Sequence, residues 1–327
     1  MDLRELLEVE RRVVQAGMAS LGRAELASAV SLAGGLGMLG TLRDPEELRR
    51  DIRQCREQCA GRPYGVNLLL VAARRAHVEV CIAERVPVVS LFFGHDARLV
   101  RALHEVGSVV LHQVGSVQQG ERALADRADA LIAQGSGAGG HVLAEEAGDT
   151  LLPKLAAIAG GRPILASGGI VDRASAERAV ASGAAGVWAG TRFLLTPESH
   201  AHPAYKARLL EADRTIETLL FGLGWHARHR VVPNAATERW CGCDPLGPRW
   251  VRALNRCLEP LSRLAPSAAD GQVVAAQRLG RPLYSPFALV RGMDERLVDV
   301  TPLYAGASVA RLGSLMPARD VVHELSV

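Results

Sequence analysis

Lysine is nearly missing from this 327-residue chain: of 38 basic residues only Lys154 and Lys206 are lysine. Aromatic residues make up 4%, too few for base-stacking platforms, and a formal charge of +3 is too small to hold a polyanion. No nucleic-acid partner is expected. No apolar run approaches a membrane span; Val66–Ala73 is among the longest. The N-terminal MDLRELLEVERR sets Leu3, Leu6 and Leu7 among charges. It reads as a short amphipathic helix and not as a signal peptide, so the expectation is a cytoplasmic protein with no membrane partner. Six cysteines form no disulfide framework. Cys55 and Cys59 lie four apart on a predicted helix, and Cys241 and Cys243 form a lone CGC. Neither pair has a second pair at zinc spacing, so no metal is expected.

What the chain does have is apolar alternation. Hydrophobic residues are 48% of the total, enough for a large core. From about residue 12 to 195, short β-branched runs alternate with longer Ala/Arg/Glu/Leu helical patterns. Strands are predicted at Val13–Met18, Leu36–Leu39, Tyr64–Leu70, Val88–Phe92, Val109–Gln113, Ala130–Gln134, Pro163–Ser167 and Gly186–Ala189. Helices are predicted between them, around 23–32, 45–58, 73–84, 96–105, 117–126, 149–159 and 173–181. Runs such as VVSLF, DALIA and PILA are apolar at consecutive positions, as parallel strands covered on both faces should be. Eight strand–helix steps predict an α/β fold, a (β/α)8 TIM barrel over residues 1–214. An open dinucleotide-binding sheet is the alternative. Against it, no GxGxxG follows the first strand, and the glycines cluster at the ends of several strands. Residues 215–301, with Trp225, Trp240, Trp250 and many prolines, read as a mostly helical or irregular insertion after strand eight, over the barrel mouth. Residues 302–327 read as a C-terminal segment whose helix returns to the barrel.

The strand ends also lack the groups that several barrel chemistries need. A Schiff-base aldolase requires a strand-end lysine, but Lys154 falls in a predicted helix and Lys206 lies beyond the eighth strand. Metal-dependent enolases and two-carboxylate glycosidases require strand-end acids. Here the ends carry Met18, Asn67, Gln113, Gln134 and Ser167. Amides and backbone suit a neutral, hydrogen-bonding cofactor that carries the chemistry itself.

Two glycine clusters point to where its phosphate would sit. Ser167–Gly168–Gly169–Ile170 and Trp188–Ala189–Gly190–Thr191 each follow an apolar strand and stand one helix–strand step apart. In barrels, the loops after strands seven and eight commonly bind phosphate through backbone N–H groups. Tight βα turns alone would also use glycine, but two such turns at these strands favour phosphate. A third cluster, Gln134–Gly135–Ser136–Gly137–Ala138–Gly139–Gly140–His141, follows strand six and brings one imidazole with it. Its proton affinity suits transfer near neutrality, which makes His141 the candidate catalytic residue.

Taken in order, Gln15–Ala16–Gly17–Met18, Ala29–Val30–Ser31 with Gly34–Gly35–Leu36–Gly37, Gly65–Val66–Asn67–Leu68, the Gln134–His141 loop, Ser167–Gly168–Gly169–Ile170, Gly190–Thr191–Arg192–Phe193 and Leu303–Tyr304–Ala305–Gly306 resemble the nitronate monooxygenase (2-nitropropane dioxygenase) family and the related FMN-dependent enoyl-acyl-carrier-protein reductases. The likeness is weakest over about 226–300. It implies FMN, with Ala16, Gly17 and Met18 against the flavin and Asn67 nearby. Gln113, Gln134 and Gly139 fall at further flavin contacts. Gly168, Gly169, Gly190 and Thr191, with Ser167, Trp188 and Ala189 leading into them, would hold the phosphate, and His141 matches the active-site histidine. The chain departs from the family at Gly137, where relatives usually carry Glu, and at Gly17, where they often carry Pro.

The leading expectation is FMN-dependent oxidation of alkyl nitronates by oxygen to carbonyl compounds and nitrite, with a small-molecule substrate and oxygen as partners. An FMN-dependent NAD(P)H enoyl-thioester reductase is the alternative, and a flavin-binding barrel without turnover a third reading. A homodimer is one assembly this reading leaves open.

Overall fold

The computed structural model describes residues 2–41, 44–262 and 270–327; residues 263–269 of the predicted insertion lie outside them. The strands are β1 (Val13–Gln15), β2 (Gly37–Leu39), β3 (Tyr64–Leu69), β4 (Val88–Phe92), β5 (Val109–Val114), β6 (Ala130–Gln134), β7 (Gly140–His141), β8 (Ile164–Ser167), β9 (Gly186–Ala189), β10 (Ile216–Thr218), β11 (His229–Val232) and β12 (Leu303–Tyr304). The helices of the first half are α1 (Leu3–Leu7), α2 (Ala24–Leu32), α3 (Pro45–Gln58), α4 (Arg75–Ala83), α5 (Ala97–Glu105), α6 (Val117–Ala125) and α7 (Gly148–Ile158). Those of the second half are α8 (Arg173–Ala181), α9 (Thr191–Leu194), α10 (Pro203–Glu211), α11 (Ala235–Trp240), α12 (Arg249–Ser262), α13 (Asp270–Ala275) and α14 (Ala318–Leu325). Among the described residues no helix is long and apolar enough to cross a membrane.

The chain divides into two compact units. The first comprises residues 1–137, 143–199 and 315–327, and the second residues 138–142 and 200–314. The cuts fall after Ser199 and Ser314, where the sequence reading drew its boundaries at 214 and 301.

The first unit is a (β/α)8 barrel. Eight parallel strands run in the order β1-β9-β8-β6-β5-β4-β3-β2. Leu36 closes the ring: its N–H donates to the Val13 carbonyl at 2.9 Å and its carbonyl accepts from Gln15 N at 3.0 Å. Each strand is buried on both faces because helices cover the outside and side chains fill the inside, which is why the runs carry no polar alternation. The interior holds Val14, Leu36, Met38, Leu111, Ile132, Leu165 and Trp188, together with Leu3 and Leu7 of α1. A Cβ at Gly186, where β9 begins, would lie 2.6 Å from Leu3 Cδ2, so α1 plugs the amino-terminal end of the barrel. Burying Leu3 and Leu7, each 1% exposed, is worth roughly 1.5–3 kcal/mol apiece. Side-chain caps set the helix starts: Asp44, Asp96 and Asp172 accept from backbone N–H groups in the first turns of α3, α5 and α8. The C-terminal helix α14 returns to this unit. Val321, Val322 and Leu325 pack with Leu26, Val30 and Phe193, and buried Arg192 pairs with Glu324 at 3.4 Å.

The second unit adds a small sheet to the helical and irregular segments expected after the eighth barrel strand. β10, β11 and β12 form an antiparallel sheet, and β7, contributed by the Gln134–His141 loop, pairs with β11. Phe221, Val231, Val251, Tyr284 and Val300 form its core. The sequence reading placed no strand here, because these strands are two to four residues long and β12 meets β11 about seventy positions away.

Candidate active site

The carboxyl-terminal ends of the barrel strands collect most of the sequence-predicted residues. β1, β9, β8 and β6 are neighbours, so the segments that follow them lie side by side. Ser167 and Trp188 are register partners across β8 and β9, which brings Gly168–Gly169 and Gly190 to the same level. Gly168 and Gly169 take φ of +105° and +76°, a region in which only glycine is unstrained. The N–H groups of Gly168, Gly169 and Gly190 donate to no acceptor among the described residues. Unpaired backbone donors gathered at strand ends make a cradle for an anion, and this set fits a phosphate monoester. Thr191 opens α9 directly after it. The Trp188 and Ala189 side chains are core, 4% and 1% exposed, so these two residues offer only backbone.

Ala16 N donates to Ala189 O at 2.8 Å and ties the loop after β1 to this cradle. Met18 and Ala19 both have φ of 48°, two successive left-handed residues that are not glycine. Such strain, about 1–3 kcal/mol each, is typical of loops shaped to meet a ligand. Gly17 is set by contact: a Cβ there would lie 2.5 Å from Asn67 Cβ and 3.1 Å from Leu39 O. Asn67 Oδ1 accepts from the Ser90 hydroxyl at 2.8 Å, leaving its NH2 group with no protein acceptor among the described residues. The Gln113 carboxamide and Ser167 hydroxyl, on residues 7% and 8% exposed, likewise have no protein partner among them. These are unfilled donors and acceptors suited to a polar ring system. Gln134 has a structural task, since its Oε1 accepts from Leu143 N at 2.8 Å where the chain re-enters the barrel. Sequence reasoning missed Gln15, which is fully buried, accepts from Met38 N at 2.9 Å and donates to Ala16 O.

Gly139 and His141 belong to the second unit. A Cβ at Gly139 would lie 2.5 Å from the Ala305 carbonyl carbon and from Gly306 N, so the Leu303–Gly306 signature packs directly on the glycine-rich loop. His141 and His229 are cross-strand register partners, with ring centroids 5.4 Å apart. Trp225 stacks flat on His141 at 3.6 Å, and the Tyr304 ring stands 5.4 Å away. His141 keeps some accessible surface, yet burial, helped by His229, pushes its imidazole well below the ordinary histidine range. Burial likewise pushes His229 down to about 4, against a 3.0 Å bond between its Nδ1 and Ala227 O. Tyr304 is pushed up by burial, and its hydroxyl donates to Pro286 O at 2.7 Å. Trp225 and His229 were not singled out from sequence; only the fold brings them to His141. Among the described residues no group of three or more His, Cys, Asp or Glu side chains could hold a metal.

The chain is 40% identical, over 72% of its length, to the (3aS,4S,5R,7aS)-5-hydroxy-7a-methyl-1-oxo-octahydro-1H-indene-4-carboxyl-CoA dehydrogenase of Mycobacterium tuberculosis, of which 67% is matched. It is 31% identical to a nitronate monooxygenase of Pseudomonas aeruginosa, over 70% of this chain and 78% of that one. The solved structure of FabK from Thermotoga maritima superposes with a TM-score of 0.77 at 29% identity, covering 99% of this chain and 94% of the other. The family model described as nitronate monooxygenase matches residues 2–77 and 71–326. The chain therefore belongs to the nitronate monooxygenase family, a family of flavin-dependent oxidoreductases built on this barrel.

Proposed function

We propose that the protein is an FMN-dependent dehydrogenase of an acyl thioester, with His141 as the base that removes the proton next to the thioester carbonyl. The observation that carries this reading is the His141 imidazole stacked on Trp225 beside His229 and Tyr304, in surroundings that lower its proton affinity. A neutral imidazole can take a proton; it offers a substrate anion a hydrogen bond but no countercharge. The sequence relationship to a carboxyl-CoA dehydrogenase supports the substrate class. This is the thioester chemistry of the sequence alternative, run in the oxidative direction.

The N–H groups of Gly168, Gly169 and Gly190 would hold the cofactor phosphate, and Ala16–Met18, Asn67 and Gln113 would line the ring. FMN rather than FAD follows from a single phosphate cradle and the absence of a dinucleotide fingerprint in the sequence. Bound FMN would supply hydride acceptance. His141 would supply the proton acceptor.

Oxidation of nitronates by oxygen is the second reading, favoured by the identity to the Pseudomonas aeruginosa enzyme. Incubating the purified protein with saturated acyl-CoA thioesters and an artificial electron acceptor, and following a two-hydrogen mass loss, tests the first reading. Turnover should fall roughly 30- to 1,000-fold in His141→Gln. Nitrite release from a nitronate, with no mass change in any thioester, would replace the first reading by the second.

A further inference from the structure

Asn67 is held from three sides, and one of those contacts decides what it can offer. Val66 and Leu68 pack with the surrounding helices, among them Leu48 and Ile52 of α3, so strand alternation turns Asn67 into the barrel. Ser90 is its register partner on β4, fully buried, and its hydroxyl donates to Asn67 Oδ1 at 2.8 Å. The Thr41 hydroxyl, just beyond β2, donates to the Asn67 backbone carbonyl at 3.0 Å. Gly17 closes the third side, where a Cβ would lie 2.5 Å from Asn67 Cβ.

We infer that Ser90 is a positioning residue, which holds the Asn67 carboxamide by its carbonyl end and so turns the NH2 group toward the strand-end site. This rests on the reading of that site as an FMN site. A carboxamide can present either end, and a hydroxyl can donate or accept. What decides is the Ser90 proton. Among the described residues Asn67 Oδ1 is its only hydrogen-bond acceptor. With the amide reversed, the Asn67 NH2 group would donate to Ser90 Oγ, and the hydroxyl proton would be left buried without an acceptor. An unmet buried donor costs the full desolvation of the group, more than an ordinary hydrogen bond contributes. Asn67 therefore offers the site a donor and not an acceptor. An isoalloxazine edge carries carbonyl and ring-nitrogen acceptors beside one N–H, so the reversed carboxamide would set oxygen against oxygen. Ser90 is fully buried and reaches the site only through Asn67.

The test compares FMN dissociation constants, read by flavin fluorescence on the full chain; it needs no substrate and no turnover. Ser90→Ala should weaken FMN binding about three- to tenfold, because the carboxamide then samples both orientations. In an Asn67→Ala background the same change should alter the constant by less than about twofold. Equal weakening in both backgrounds overturns the inference, since Ser90 would then act on the barrel and not through Asn67. An unchanged constant in Ser90→Ala overturns it too. A second readout uses side-chain amide NMR of the free protein, with the Asn67 NH2 group assigned by its loss in Asn67→Ala. Removing the hydroxyl from Oδ1 in Ser90→Ala should move the Asn67 amide nitrogen signal upfield; a signal that stays or moves downfield overturns the inference. Failure of the FMN reading would look different: no FMN taken up by the wild type, with the upfield shift in Ser90→Ala intact.

Discussion

His112 gives the barrel unit a pH dependence whose size can be worked out. The residue sits on β5, 1% exposed, with Nε2 2.9 Å from Gly94 O and its ring 4.7 Å from that of His95. Its Nδ1 has no hydrogen-bond partner among the described residues. Burial is the largest cause that lowers its pKa, His95 adds to it, and the two bring it from 6.5 to about 4. The folded state thus binds this proton less well than the unfolded chain. The stability contribution is fully present above the unfolded value near 6.5 and is lost as pH falls through about 4. A gap of about 2.5 units corresponds to roughly 3 kcal/mol in all, of which about 2 kcal/mol is lost by about pH 5. His112→Gln retains an N–H donor for Gly94 O and cannot titrate. Urea unfolding of both proteins at neutral pH and near pH 5 isolates the effect, because His229, also lowered to about 4, acts equally in each. Wild type should lose about 2 kcal/mol more than the variant on acidification. Parallel losses would show that burial of His112 does not depress its proton affinity.

Gly169→Asp and Gly190→Asp should each abolish flavin retention while circular dichroism still reports a folded barrel, since a carboxylate both fills the cradle and repels a phosphate. Wild-type flavin affinity in either variant would misplace the phosphate. Gly17→Ala forces a Cβ to within 2.5 Å of Asn67 Cβ and should weaken flavin binding by about 1–3 kcal/mol, read as an equilibrium constant by fluorescence. His141→Gln should keep its flavin and lose about 2–4 kcal/mol of transition-state stabilisation, measured as kcat/KM; full activity would remove His141 from the chemistry.

Barrel strands and helices were legible because burial on both faces leaves unbroken apolar runs between helical patterns, and such a signal is local. Val88–Phe92 and Ala130–Gln134 match their predicted spans residue for residue. The strand-end glycines were legible for the same reason, since positive φ at Gly168 and Gly169 restricts the residue type. Long-range pairing was not. β7 is two residues long and meets β11 almost ninety positions later, so nothing local marks Gly140 and His141 as a strand. The same distance hid Trp225 and His229 as neighbours of His141. Arg192 stood in a recognisable motif without a role until α14 supplied Glu324.

The central claim is best tested by anaerobic mixing of the purified protein, loaded with FMN, with a saturated acyl-CoA thioester, watching the flavin absorbance. A base working with a hydride-accepting cofactor predicts rapid bleaching by the thioester that slows roughly 30- to 1,000-fold in His141→Gln, and slow or no bleaching by propyl nitronate. Bleaching by the nitronate alone, with the thioester inert, would contradict the assignment of an acyl thioester as substrate.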